Sequence, residues 1–289
     1  MPGTTKVIIV LSILPNWTVE GWMDMLLSLL ATAPAWLSSI LLIGAMTLIA
    51  MAGPVLVRRR VSLDRLRLNN EVAGFTFATV GVLYAVLLGF AVITVWEKFD
   101  EAENAVAQEA AAVTTLYRLA EGIGGDSGTA IHNGLTRYIK VAIAEEWPAM
   151  EQGKESHAVT QALKSAYSAL MTFTPGDARG AALLAEALHQ LDVVTQTRRT
   201  RLVMAPGTVP RVLWFVLSGG AVLTLGFTLF FGAENLRAQV MMTGILSFLI
   251  FAGLLIITTI DHPFAGAVRV RPEALSAVLD DFSAAAPRD

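Results

Sequence analysis

Gly125-Asp126-Ser127-Gly128 sets a serine between an aspartate and a glycine, as around a serine-protease nucleophile. A catalytic serine also needs a base within hydrogen-bond reach and a third group to orient that base. Neither is in evidence, because the run sits among helical patterns with no strand architecture beside it. His132, His157, His189 and His262 are scattered, with no two on adjacent helical turns, so a histidine metal site is not expected. There is no cysteine, which removes disulfides, thiolate metal ligands and a thiol nucleophile. Gly122, Gly124 and Gly125 follow no strand and lack the last glycine of a dinucleotide loop. The acidic run Glu97, Asp100, Glu101 and Glu103 reads as a solvated helix face, with an ion contact as the sharper alternative. We therefore expect no catalytic residue, no cofactor, no metal site and no enzyme.

The elements that must position any remaining chemistry are apolar. Met25–Val57, Val72–Trp96, Val212–Ala233 and Ala238–Ile260 contain no Asp, Glu, Lys, Arg or His. Each is long enough to cross a hydrocarbon core, which takes roughly 20 helical residues. Composition agrees: 54% of residues are hydrophobic, 16% are charged, and the mean hydropathy is +0.59. A net charge of −3 gives no basic field for nucleic acid. The fold expected is an all-α membrane protein with four transmembrane helices in two pairs and a soluble helical bundle inserted between the second and third.

The expected divisions are an N-terminal segment over 1–34, span one at 35–57, a basic loop at 58–71 and span two at 72–96. The bundle insert follows at 97–210, then span three at 211–233, a short loop at 234–237, span four at 238–260 and a tail at 261–289. Val7–Leu14 is too short to span, and Trp17, Trp22 and Trp36 suit a segment along the membrane interface. Ala31-Thr32-Ala33 imitates a signal cleavage site, but the lone Lys6, Asp24 and Pro34 favour an uncleaved terminus.

The insert reads as helix throughout. Phe99, Val106, Val113 and Ala120 recur every seven residues, a narrow seam for close packing. No proline interrupts Val72–Glu121, so span two and the first insert helix form one rod of roughly 75 Å. Gly122–Gly128 reads as the turn that ends it. Ile131, Leu135, Tyr138, Ala142 and Trp147 mark a second helix. Ser156 would cap a third bearing Val159, Leu163, Ala166 and Leu170, and Thr174-Pro175 would open a fourth bearing Leu184, Leu188 and Leu191. An antiparallel four-helix bundle is the economical packing.

Within the membrane, span two stands out. Gly74, Ala78, Gly81, Ala85 and Gly89 recur every three or four residues and form a smooth face, for close helix packing or for a pore. Spans three and four carry hydroxyls such as Ser218, Thr224, Thr243 and Ser247 but no charge. Proton-coupled transporters and voltage sensors place ionisable groups at membrane depth, so passive conduction is the transport class left open. Asp261, His262, Pro263 and Phe264 mark the membrane exit of span four, where proline ends the helix.

Arg58, Arg59, Arg60, Arg65 and Arg67 crowd the loop between spans one and two. The positive-inside rule puts that loop in the cytoplasm and the insert on the extracytoplasmic side of a bacterial inner membrane. Arg198, Arg199, Arg201, Arg211, Arg269 and Arg271 argue for the other side, but long domains translocate largely regardless of charge.

Asn70-Glu71-Val72-Ala73-Gly74-Phe75, Tyr84-Ala85-Val86-Leu87-Leu88 and Trp96-Glu97-Lys98-Phe99 resemble segments of the bacterial bestrophin-like membrane proteins. So do Glu145-Glu146-Trp147-Pro148, Pro210 with Leu213-Trp214, Phe231-Gly232-Ala233-Glu234-Asn235 and Asp261-His262-Pro263-Phe264-Ala265-Gly266. The resemblance runs from about Arg58 to Pro272 and implies a homo-oligomeric ion channel in the lipid bilayer, with an inorganic anion as the permeant species. It also implies apolar aromatic constrictions on span two, for which Phe75, Phe77, Tyr84 and Phe90 are the candidates here. Bestrophins keep the inserted helices in the cytoplasm, opposite to the reading from the arginine loop. The alternative function is a membrane-anchored sensor or scaffold, whose bundle would bind a ligand or protein in a pocket lined by Tyr138, Trp147 and Tyr167.

Overall fold

The computed structural model describes residues 35–68, 70–207 and 209–285, and its regular elements are all helical. The interfacial segment and cleavage-site lookalike expected over residues 1–34 lie outside the described residues. In order come α1 (Ala35–Arg60), α2 (Leu63–Arg67), α3 (Asn70–Ile123), α4 (Gly125–Val141), α5 (Trp147–Met150), α6 (His157–Met171) and α7 (Ala178–Met204). They are followed by α8 (Arg211–Phe227), α9 (Leu236–Ile260) and α10 (Glu273–Ala285). Among the described residues, four helices are long and apolar enough to cross a membrane: α1, α3, α8 with its 3-10 end at Thr228–Phe230, and α9.

Packing does not follow the order of the chain. α1 lies chiefly on α9, while α3 packs on α8 and α9, so the first two spans are neighbours in sequence without being the main packing partners. Small residues explain the choice. A Cβ on Gly244 of α9 would stand 2.9 Å from Met51 Sδ, and one on Gly53 would stand 2.7 Å from Leu229 Cδ2. Those glycines let α1 settle on α9 and on the turn after α8.

α3 is unbroken for 54 residues, about 80 Å at 1.5 Å per residue. Its first half belongs to the apolar spans. Its second half packs on α7 and α4, with α6 against α4. The turn expected over Gly122–Gly128 is tighter than that. Only Gly124, at φ +67°, separates α3 from α4, and Gly125-Asp126-Ser127-Gly128 is the first turn of α4. Gly128 is needed because a Cβ there would lie 2.5 Å from the Ala120 carbonyl oxygen.

Two expected helix starts also differ. Ser156 precedes α6 but caps nothing; its hydroxyl donates to Glu145 Oε2 at 3.0 Å. Pro175 lies before α7 rather than in its first turn, and Asp177 is the cap, accepting from the Gly180 N–H at 2.6 Å. The tail is more than a tail. Leu275, Val278 and Phe282 bury one face of α10 in the bundle core, so a fifth helix packs on α3 and α4.

Candidate functional site

α3 presents different faces to its own chain and to the outside. Tyr84, Ala91 and Val95 form its buried face in the membrane half, against Leu217 and Ala221 of α8 and Ile250 and Ile257 of α9. Tyr84 is only 5% exposed, and a Cβ on Gly220 would lie 2.4 Å from its Cδ2. Leu88 is held likewise by Gly253, where a Cβ would lie 2.8 Å from Leu88 Cδ2.

The opposite side is uncovered. Phe75 is 78% and Phe90 65% exposed, with Val82, Val86 and Ile93 exposed between and beyond them. Gly81 and Gly89 have nothing within 4 Å of an added Cβ, and Ala78 and Ala85 are exposed. Of the three glycines on this face, Gly74 has a neighbour in that range, Phe231 Cε1 at 3.9 Å. The four aromatics proposed for a constriction therefore separate: Phe75 and Phe90 face outward, Phe77 meets Phe231 edge-on at 5.5 Å, and Tyr84 points into its own chain. The uncovered stripe continues past the apolar half through Glu97, Asp100, Asn104 and Gln108, all exposed. Glu101 beside it pairs with Lys98 at 2.7 Å.

The bundle half of the same helix carries a buried ionic cluster that the heptad seam does not announce. Arg201 of α7, fully buried, donates from Nε to Glu109 Oε2 at 2.6 Å and from Nη2 to Glu109 Oε1 at 2.9 Å. Nη2 also reaches Glu146 Oε2 at 3.3 Å, and the guanidinium lies 4.5 Å over the Trp147 ring. Arg198 forks onto Glu146 at 2.6–3.1 Å and donates to Thr160 Oγ1 at 3.1 Å. Tyr138 donates to Glu109 Oε1 at 2.8 Å.

Burial and the neighbouring Glu109 carboxylate push the Tyr138 phenol well above its ordinary value. Burial works against the Arg201 cation, yet Glu109, Tyr138 and Glu146 together outweigh it and raise its pKa. Two carboxylates and two guanidiniums cancel, which is how this core tolerates charge. Glu146 is aimed inward by a five-residue π turn over Ala142–Glu146. Pro148 follows two residues after Glu146, and its ring would clash with the carbonyl of residue 144 in a regular α-helix, so the backbone widens there.

Asp261, His262, Pro263 and Phe264 make the joint between membrane and bundle. α9 ends at Ile260, and buried Asp261 accepts the Val209 N–H at 2.8 Å, tying the entry of α8 to the exit of α9. His262 is exposed beside Gly207. The Pro263 carbonyl accepts from Val270 N–H at 2.7 Å, and Phe264 is fully buried edge-on to Trp147, whose indole donates to the Val270 carbonyl at 3.2 Å. At the opposite membrane face, Asn70 pairs with both backbone groups of Gly232 at 2.9 and 3.2 Å, and Arg67 pairs with Glu234.

Solved structures share this fold. A bacterial bestrophin homologue from Klebsiella pneumoniae superposes with a TM-score of 0.62 at 17% identity, covering 84% of this chain and 98% of that one. A mutant of the Klebsiella homologue gives 0.64 at 15% identity, over 87% and 98% of the two chains. No curated protein is significantly similar in sequence. The Bestrophin-like domain is matched over residues 44–275, most of the length of the chain, which therefore belongs to the Bestrophin-like family.

Proposed function

We propose that this chain is the subunit of a homo-oligomeric passive ion channel of the bacterial cytoplasmic membrane, with α3 lining the axis. The observation that carries the reading is the uncovered stripe of α3. A helix that turns Phe75, Val82, Gly89 and Ile93 away from its own subunit, and continues that face with polar residues beyond the membrane, suits a shared axis. The fold shared with bestrophin homologues supports it. The test is ion flux from liposomes holding the purified protein, with Gly81→Leu as control. A Cβ on Gly81 would meet nothing within 4 Å in its own chain, so a leucine there is expected to abolish flux without unfolding the subunit. Absence of flux from both versions would move the assignment to a scaffold.

The family resemblance points to an anion. The stripe favours the opposite charge, because Glu97 and Asp100 repeated around an axis would concentrate cations. Chloride and potassium flux from the same vesicles decides between them. Against the sensor reading, Tyr138 and Trp147 of its expected pocket are buried with their polar atoms already bonded, while the third, Tyr167, is half-buried and shares a hydrogen bond of 3.3 Å with Thr195.

The insert is assigned to the extracytoplasmic side on the strength of Arg58, Arg59 and Arg60 at the end of α1 and Arg65 and Arg67 in α2, all within the connection between the first two spans. Of the arginines before α8 that argued otherwise, Arg198 and Arg201 are neutralised inside the bundle. A single cysteine placed in the loop, in a chain that has none, should be labelled only from the cytoplasmic side. Labelling from outside overturns the assignment.

A further inference from the structure

Between α3, α9 and the 3-10 turn after α8 lies a cavity of about 500 Å³, whose walls include Gly74, Phe77, Phe231, Met242 and Leu246. That is room for a ligand-sized apolar body. One wall group is conspicuously unfinished. Gln239 is 5% exposed; its Nε2 donates to the Phe231 carbonyl at 2.8 Å and the Thr228 carbonyl at 3.3 Å, but its buried Oε1 accepts no hydrogen bond. A buried acceptor without a donor is unfavourable, and a small turn of the Gln239 side chain that brings Oε1 to the cavity wall would let a ligand hydroxyl or amine satisfy it.

The surroundings fix the rest of the ligand. Gln239 sits in the first turn of α9, at the end of the spans where α1 finishes in Arg58, Arg59 and Arg60. Arg58 Nη2 donates to the carbonyl of Ala233, itself a wall residue, at 2.6 Å, while Arg58 Nη1 is buried with no partner. We propose that the cavity holds an acyl chain of an anionic, hydroxyl-bearing membrane lipid, whose head group donates to Gln239 Oε1 and sets its phosphate among Arg58, Arg59 and Arg60. A hydrocarbon tail matches walls that lie between membrane-crossing helices. The head matches one orphan acceptor and a cluster of cations at the depth where head groups lie. The site does not depend on whether the protein conducts ions.

Native mass spectrometry of the delipidated oligomer, titrated separately with phosphatidylglycerol and phosphatidylcholine, tests this. Phosphatidylglycerol should bind saturably, with one lipid per chain, and at least about tenfold more tightly than phosphatidylcholine. Gly74→Leu, which directs a side chain into the cavity, should abolish the tight binding. Arg59→Gln with Arg60→Gln, at two exposed positions, should weaken it about tenfold and so carries the test should Gly74→Leu fail to assemble. Equal affinity for the two lipids, or unchanged phosphatidylglycerol binding in an assembled Gly74→Leu or in the double arginine variant, overturns the proposal. So does efficient oxidation of a Gly74→Cys protein to cross-linked subunits, which would put a second copy at the cavity instead of a lipid.

Discussion

The two halves of α3 are built by opposite rules. In the membrane half the helix is held on one side only, with Tyr84 and Leu88 seated against Gly220 and Gly253 and with Ala91 and Val95 packed on Leu217 and Ile257, and its other side carries apolar groups with no cover. In the bundle half, Ala102, Val106, Val113 and Leu116 are buried, and Glu109 is enclosed with Arg201 and Tyr138. The difference follows from the surroundings. In lipid an exposed valine costs nothing and a buried charge has no water to return to, so shape alone selects partners there. In water the bundle must close its apolar faces, and once closed it can hold ions that match one another. The membrane half is thus free to be remodelled by contacts with lipid or other copies, while the bundle half fixes where α3 stands.

The largest effect should come from breaking the ionic cluster. Arg201→Met leaves Glu109 buried beside Tyr138 with no cation, and should cost about 3–5 kcal/mol in denaturant or thermal melting. Replacing Glu109 by Leu in the same protein should recover most of that loss, since the orphaned charge goes with it. If Arg201→Met melts like the parent, the bundle half is not fixed by its charges and the contrast fails.

Next in size is the shape fit in the membrane half. Gly220→Ala sets a Cβ 2.4 Å from the Tyr84 ring, so α8 must move away from α3. The expected cost is about 1–3 kcal/mol of unfolding free energy in detergent micelles. Tyr84→Leu in the same chain should relieve part of it. A Gly220→Ala protein as stable as its parent would mean that the spans are not tightly seated.

These two halves were unequally legible in the sequence. Uninterrupted apolar runs mark α1, α8 and α9 because a charge at membrane depth is so costly that its absence is itself a signal. The lack of proline between Val72 and Glu121 explains an unbroken α3. The ionic cluster was not legible, because its members lie 52, 55 and 92 positions apart and only the fold brings them together. A weak trace existed: Leu191, Val194, Arg198 and Arg201 continue one helical face of α7, so the arginines stand where buried residues should. Arginines placed just before a span carry a topology signal as well, so their position alone does not reveal burial. Nor could helix pairing be read, since α1 prefers α9 through Met51 on Gly244, a fit of shapes with no local pattern. α10 was missed because its short apolar face, Leu275, Val278 and Phe282, follows a membrane exit and resembles an ordinary tail.

A smaller effect separates charge balance from hydrogen bonding within the bundle. Tyr138→Phe removes one donor to Glu109, which keeps two bonds from Arg201, so the neutral-pH cost should be about 1 kcal/mol. The pH dependence has a definite sign. With its folded pKa raised above the ordinary value of 10, Tyr138 keeps its proton in the fold after the unfolded chain has lost it. Its contribution is therefore complete below pH 10 and is lost as pH climbs through the folded value. Melting of the parent should therefore fall more steeply as pH rises above 10 than melting of Tyr138→Phe. Parallel curves would show that the phenol is not held in a closed site.

The smallest effect on the subunit bears most directly on the uncovered face. Gly81→Ala and Gly89→Ala add a methyl where nothing lies within 4 Å, in a helix where alanine is preferred to glycine. Within one chain each should shift stability by no more than about 0.5 kcal/mol, and not unfavourably. The same change at Gly220 meets the Tyr84 ring, so three chemically identical substitutions in the membrane half should part according to the face they occupy. Assembly adds a second reading. If the small face meets a neighbouring copy closely, Gly81→Ala should lower the oligomer fraction in cross-linking or sedimentation while leaving the subunit's melting unchanged. If that face instead borders an open axis, the oligomer should survive and only conductance should drop. A Gly81→Ala chain that loses as much stability as Gly220→Ala would place a partner of its own subunit on that face, and the division of α3 into a held side and a free side would be wrong.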